Sequence, residues 1–169
     1  HYRQSGHDGT PITLRVSDAA FPGAIEAAQL FQQSAQQAGI PIEIKREPAD
    51  GYWSDVWNKQ PFSASYWTGR PVQDQMYSIA YLSTADWNDT RFHNEEFDQL
   101  LLKARAELDP AKRKEIYGRM ARIVRDEGGL IAPMFNNFIE AVSTEIEGWK
   151  DDPNGTIMGG RGMHMMWFA

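Results

Sequence analysis

The hydrophobic period of this chain changes twice between residues 12 and 44, and no other feature limits its fold as strongly. Ile12, Leu14 and Val16 alternate with Thr13 and Arg15, the period-two pattern of a strand with one buried face. From Pro22 to Ala38 the apolar residues Ala24, Ala27, Ala28, Phe31, Ala35 and Ala38 fall at helical spacing, and Gly39 follows as a stop signal. Ile40, Ile42 and Ile44 then alternate again. A helix between two strands precludes a hairpin, so the strands are expected to be parallel neighbours of a βαβ unit.

Later segments keep alternating in type. Residues 51–59 read as a short helix with Trp53, Val56 and Trp57 on one side, and Phe62–Trp67 as a short strand ending at Gly69. A helical stretch follows with Met76, Ile79, Ala80 and Leu82 facing inward. Asn94 is expected to cap a helix whose apolar face is Phe97, Leu100, Leu101, Ala104 and Leu108, with Glu95 and Glu96 in its first turn. Asp109-Pro110 opens another, facing inward through Ile116, Met120, Ile123 and Val124 and ending at Gly128-Gly129. Leu130–Phe135 and Phe138–Val142 read as strands, whereas the Gly- and Met-rich tail from Trp149 shows no period. The expected class is α/β.

Composition removes several functions. A net charge of −6 without a dense basic cluster argues against a nucleic-acid surface. The basic residues Lys112, Arg113, Lys114, Arg119, Arg122 and Arg125 are interleaved with Glu115, Asp126 and Glu127, as on a solvated helix face. The absence of cysteine excludes disulfides, zinc–thiolate sites and thiol catalysis. No apolar run approaches the roughly 20 residues that a membrane-spanning helix needs. The start His1-Tyr2-Arg3-Gln4, without an initiator Met, is expected of a processed or excised piece.

Catalytic signatures are missing: there is no G-x-S-x-G, P-loop, G-x-G-x-x-G after a strand or H-E-x-x-H. His1, His7, His93 and His164 are too dispersed to indicate a metal site, and Glu95-Glu96 and Asp151-Asp152 read as cap and loop charges. Gly159-Gly160-Arg161-Gly162 lacks the flanking strand and helix of a phosphate cradle. No enzyme activity and no cofactor are expected.

The segment Tyr66-Trp67-Thr68-Gly69-Arg70-Pro71, with Asp74 beyond it, is the strongest candidate for binding. Aromatic side chains at a strand's carboxyl end can stack on an apolar group, Gly69 admits close backbone approach, and Arg70 can hold a carboxylate bidentately. Trp87 is counted with this ligand-binding set. In the competing reading Trp67 belongs to the core and Arg70 pairs with Asp74 at the surface.

At this segment the chain resembles the C-terminal portion of the family 5 extracellular solute-binding proteins, which serve ABC importers for dipeptides, oligopeptides and nickel. The resemblance runs over most of the chain. It rests on the order of ITLRVSD, AAQLFQQSAQQAGI, IEIKREPADGYWSDVWN, FSASYWTG, and WNDTRFHNEEFDQLLLKARAELDPAKRKEIYGRMARIVRDEGGLIAPMF. The last stretch is similar to the family's N-x-x-F-D-x-L-L helix and the helix that follows it, with Met120 or Ala121 where the family has Gln.

The resemblance implies one lobe of a type II periplasmic-binding-protein-like fold, with a mixed, mostly parallel sheet flanked by helices. Residues 1–148 would form part of the C-terminal lobe, and 149–169 a tail packing on the other lobe. It also implies capture of a small solute or peptide in the periplasm or another extracytoplasmic space, with membrane permease subunits as partners and no nucleic acid. Peptide binders of the family carry an Asp where this chain has Arg70. A cation there favours an anionic, opine-like or modified peptide ligand over a free amine. A non-catalytic α/β interaction domain, with Trp53, Trp57 and Trp67 as a protein-binding patch, is the main alternative; a small α/β hydrolase would need a nucleophile beside a base.

Overall fold

The computed structural model describes residues 2–135, 137, 139–152, 156–160 and 162–169, apart from the side chain of Thr156. The chain divides into two compact units, His1–Thr68 with Thr84–Arg91, and Gly69–Ser83 with Phe92–Ala169.

In the first unit, strand β1 (Ile12–Val16), helix α1 (Ala24–Gln37) and strand β2 (Ile42–Arg46) form the expected βαβ unit. β1 and β2 run parallel, with Ile12 opposite Ile42 and Val16 opposite Arg46. The alternation of β1 turns Leu14 and Val16 inward against Ala20, Ala24 and Ala28. Helix α1 ends at Gly39, whose left-handed backbone (φ 76°) lets its N–H reach Gln36 O (2.9 Å) and lets Ile40 N–H reach Ala35 O (2.9 Å). The Gln32 amide donates to Ile42 O at 2.7 Å and fixes the helix on β2.

On its other edge β1 meets residues 62–64. Arg15 N–H donates to Phe62 O (3.1 Å) and Arg15 O accepts from Ala64 N–H (2.8 Å), a parallel bridge centred on Ser63. Tyr52, 1% exposed, closes this junction from the π-type turn Tyr52–Val56. Its hydroxyl donates to Ala64 O at 2.7 Å and lies 3.3 Å from Arg15 O. Burial, helped by the negative charge of Glu47, pushes the Tyr52 hydroxyl up to about 12.

The second unit is mainly helical: α2 (Gln73–Ala80), α3 (Glu95–Ala106) and α4 (Pro110–Glu127). Its core holds Tyr77, Tyr81, Phe92, Phe97, Leu101, Ala104, Met120 and Ile123. Phe97 receives Tyr77 and Phe92 edge-on, each with ring centroids 5.3 Å away. Both expected caps are formed. Asn94 Oδ1 accepts from Phe97 N–H (2.9 Å), and Asp109 Oδ1 from Ala111 and Lys112 N–H (2.8 and 3.2 Å) with Pro110 in the first turn. Arg119 on α4 binds Glu96 on α3 through two hydrogen bonds of 2.8 Å. Strands β3 (Ile146–Glu147) and β4 (Trp167–Phe168) pair antiparallel near the end of the chain.

Several sequence expectations are corrected. In the 51–59 segment Tyr52 and Val56 face inward, the Tyr52 hydroxyl bonded to Ala64 O, while Trp53 is 39% exposed. Ala38 and Leu108 are exposed, since each lies past the end of its helix. Of Phe62–Trp67 only Ser63 bridges to a strand. The described residues of 130–135 and 139–142 form no strand or helix, and Phe135 and Ile139 are 95% and 92% exposed. A strand is defined by its neighbour, and none lies beside them among the described residues. Phe138, His1 and Arg161 lie outside the described residues.

Tyr52→Phe keeps the ring and removes the hydroxyl that joins the turn to the 62–64 edge. It is expected to lower unfolding stability by about 1–2 kcal/mol, read from the midpoint of a urea titration with unchanged slope.

Candidate functional site

The aromatic residues singled out in sequence come together within the first unit. Trp53 lies edge-on to Trp57 (ring centroids 6.0 Å apart) and to Tyr66 (5.5 Å). Trp57 continues to Trp67 (6.4 Å) and Trp87 (6.0 Å), and the last two are 6.2 Å apart. The result is a contiguous aromatic face built from the 52–58 turn, the 62–67 edge segment and the 84–91 loop. Trp57 and Trp67 are half-buried, whereas Tyr66 and Trp87 are 57% and 51% exposed. Trp67 is therefore neither a core residue nor a lone surface ring.

Asp89 lies at the centre of this cluster. Its Oδ2 accepts the indole N–H of Trp57 at 2.8 Å and of Trp67 at 3.3 Å. The 84–91 loop is tied to the turn through Asn58, whose amide donates to Asp86 O (2.8 Å) and whose carbonyl accepts from Arg91. Asn88 is buried at 4% exposure, and its Oδ1 accepts from Thr90 Oγ1 at 3.3 Å.

The remaining predicted site residues are placed as follows. Thr68 ends the first unit's 1–68 segment and is exposed. Gly69 and Arg70 belong to the second unit. Among the described residues, a Cβ on Gly69 would meet nothing within 4 Å. Arg70 Nη1 donates to Gly69 O at 3.4 Å.

Asp74 is held from within the second unit by Arg105, which donates to both carboxylate oxygens (2.7 and 3.0 Å). Tyr117 Oη lies 3.5 Å from the same carboxylate, and Ser78 Oγ donates to Asp74 O at 2.6 Å. The Arg105 guanidinium holds the Asp74 carboxyl below its ordinary value, with smaller contributions from Ser78 and Tyr117. Burial and the neighbouring Asp74 charge raise Tyr117.

Two open surface hollows occur elsewhere, one beside Tyr2, His7 and Pro41 and one beside Val72, Asp74, Arg105, Arg113 and Tyr117. Neither includes the aromatic face. Among the described residues no three His, Asp or Glu side chains converge as a metal site would require.

Sequence reading missed Asp89, Tyr52 and Tyr77. Asp89 lies far from Trp57 and Trp67 along the chain, so no local period connects them; only the density of tryptophan between residues 53 and 87 pointed to a cluster.

No family model matches the chain. The oligopeptide-binding protein OppA of Mycobacterium tuberculosis is 23% identical over 133 residues, covering 75% of this chain and 22% of OppA. The chain thus spans about a fifth of the length of that relative. Among solved structures, the oligopeptide-binding protein AppA from Bacillus subtilis, in complex with a nonapeptide, is 17% identical with a TM-score of 0.66, covering 98% of this chain and 34% of AppA. The ABC transporter substrate-binding protein CtaP from Listeria monocytogenes is 23% identical with a TM-score of 0.59, covering 73% of this chain and 26% of CtaP. These neighbours are family 5 solute-binding proteins, and the fold is α/β of the type II periplasmic-binding-protein kind, as in a fragment of one lobe.

Asp74 titrates below its unfolded value, so its pairing stabilises at neutral pH and is lost as pH falls through the depressed folded value. Arg105 is 46% exposed, so the pair contributes no more than about 1 kcal/mol. Arg105→Gln is expected to be less stable than the parent by up to about 1 kcal/mol at pH 7, and the two should converge in acid when denaturant midpoints are compared across pH.

Proposed function

We propose that this chain is part of the substrate-binding component of an ABC-type importer, capturing a small solute in the periplasm or another extracytoplasmic space. The observation that carries the reading is the fold shared with AppA over 98% of this chain. In this reading residues 1–148 form part of one lobe, residues 149–169 pack on the other, and membrane permease subunits receive the solute. The chain acts by binding and release, without turnover or cofactor. No helix among the described residues is long and apolar enough to cross a membrane.

The proposed ligand contacts are Tyr66, Trp67 and Trp87 as a stacking face, with Thr68 and Gly69 leaving room for approach along the backbone. Arg70 supplies the charge. An exposed aromatic face supports this assignment, because rings that lose little conformational freedom on binding give contact area at low entropic cost. Asp74, already held by Arg105, acts on the ligand by fixing the start of α2, close behind Arg70 in the chain. A guanidinium at position 70 favours a ligand carboxylate over an ammonium, so the solute class is a peptide lacking a free amine, an opine-like molecule or another anion.

A second reading, a non-catalytic interaction domain, draws on the exposure of Trp53, Tyr66 and Trp87 together with Phe135 and Ile139. The two separate on small-molecule binding. Thermal shift and tryptophan fluorescence of the full-length protein would be measured against N-acetyl-Ala-Ala-Phe, free Ala-Ala-Phe, octopine, a disaccharide and nickel–histidine. The expected result is stabilisation by the acetylated peptide or the opine, weakened at least about ten-fold by Arg70→Asp. An unchanged ligand profile in that variant would overturn the role of Arg70, and no response to any compound would favour the interaction domain.

A further inference from the structure

Resting on that reading, we infer that Asp89 is the positioning residue of the stacking face, holding Trp57 and Trp67 in one fixed arrangement through a shared carboxylate oxygen. Both indole N–H groups converge on Oδ2, at 2.8 Å from Trp57 and 3.3 Å from Trp67. Ring packing alone would not select this arrangement. Edge-to-face contacts near 6 Å tolerate rotation of either ring, and an indole flipped about its χ2 bond still covers similar apolar area. A hydrogen bond from N–H to a carboxylate is directional and stronger than a neutral one, so it distinguishes the flipped ring from the native one.

Asp89 is itself held in place. Its loop is fastened to the 52–58 turn through the Asn58 amide on Asp86 O and through Arg91 on Asn58 O, on either side of Asp89. Trp87 rides on the same loop and packs on both Trp57 and Trp67. One short loop therefore sets the exposed Trp87 ring and, through Asp89, the two half-buried rings beneath it. A face held in this way binds without having to order its rings on contact, which conserves affinity. Asp89 does not need to touch the solute.

The test compares Asp89→Asn and Asp89→Leu in the full-length protein. Asparagine keeps an oxygen acceptor of the same reach, and leucine keeps the volume without one. Indole N–H signals in 1H–15N spectra, assigned with Trp57→Phe and Trp67→Phe, report the two hydrogen bonds directly. In Asp89→Leu both signals are expected to move and to exchange faster with solvent, while in Asp89→Asn they stay close to the parent's positions. Affinity for N-acetyl-Ala-Ala-Phe should fall about five- to ten-fold in the leucine variant and within about two-fold in the asparagine variant.

Unmoved indole signals in Asp89→Leu would overturn the inference. So would loosened rings with unchanged affinity, since Asp89 would then be structural only. If the parent protein binds none of the panel compounds, the importer reading fails, and the indole pair alone decides whether Asp89 sets the rings. Far-UV circular dichroism of Asp89→Leu guards against misfolding, and the asparagine variant provides the rescue.

Discussion

The first unit depends on the backbone of Arg15. This residue pairs with Lys45 of β2 on one side, and on the other its N–H and C=O bind Phe62 and Ala64. β1 is thus flanked on both edges, while Leu14 and Val16 on its face are buried with Ala20, Ala24 and Ala28. Two of the three pieces of the aromatic face start from that junction. The 62–67 segment leaves it directly, and the 52–58 turn is fastened to it by the Tyr52 hydroxyl. Buried polar groups are costly without partners, so this hydroxyl and the carbonyl it meets specify one another.

The second unit is stabilised differently. Helices α2, α3 and α4 bury aromatic edges around Phe97, and the N-termini of α3 and α4 are capped by the side chains of Asn94 and Asp109. Two bidentate pairs, Arg105 with Asp74 and Arg119 with Glu96, then select which helix faces meet. These pairs are partly exposed, so they contribute orientation more than stability. On α4, Arg119 binds Glu96 and Arg125 binds Asp126.

Chemically the aromatic face offers stacking area, and Arg70 carries a positive charge. That combination suits recognition. Stacking rings give affinity that tolerates variation in the solute, while a single well-placed guanidinium distinguishes carboxylate from ammonium. The fold is shared with substrate-binding proteins at low sequence identity.

The βαβ unit, the helices α3 and α4 and both of their caps were legible in the sequence, because period and capping chemistry act over a few consecutive residues. The aromatic segment 66–67 and Trp87 were legible as candidates on residue type alone. Which rings face inward was not: Tyr52 is buried with its hydroxyl on a carbonyl acceptor across the fold, while Trp53 is partly exposed. The apolar stretches around residues 130–142 read as strands, yet a strand exists only beside a neighbour, and the pattern of one segment says nothing about its neighbour. In the same way Asp89 was a loop acid until folding brought two indoles from distant positions onto one of its oxygens. Local order was written in the sequence because it is enforced by adjacent residues; the face and its orientation were decided only in the tertiary structure, where hydrogen bonds join residues that are far apart in the chain.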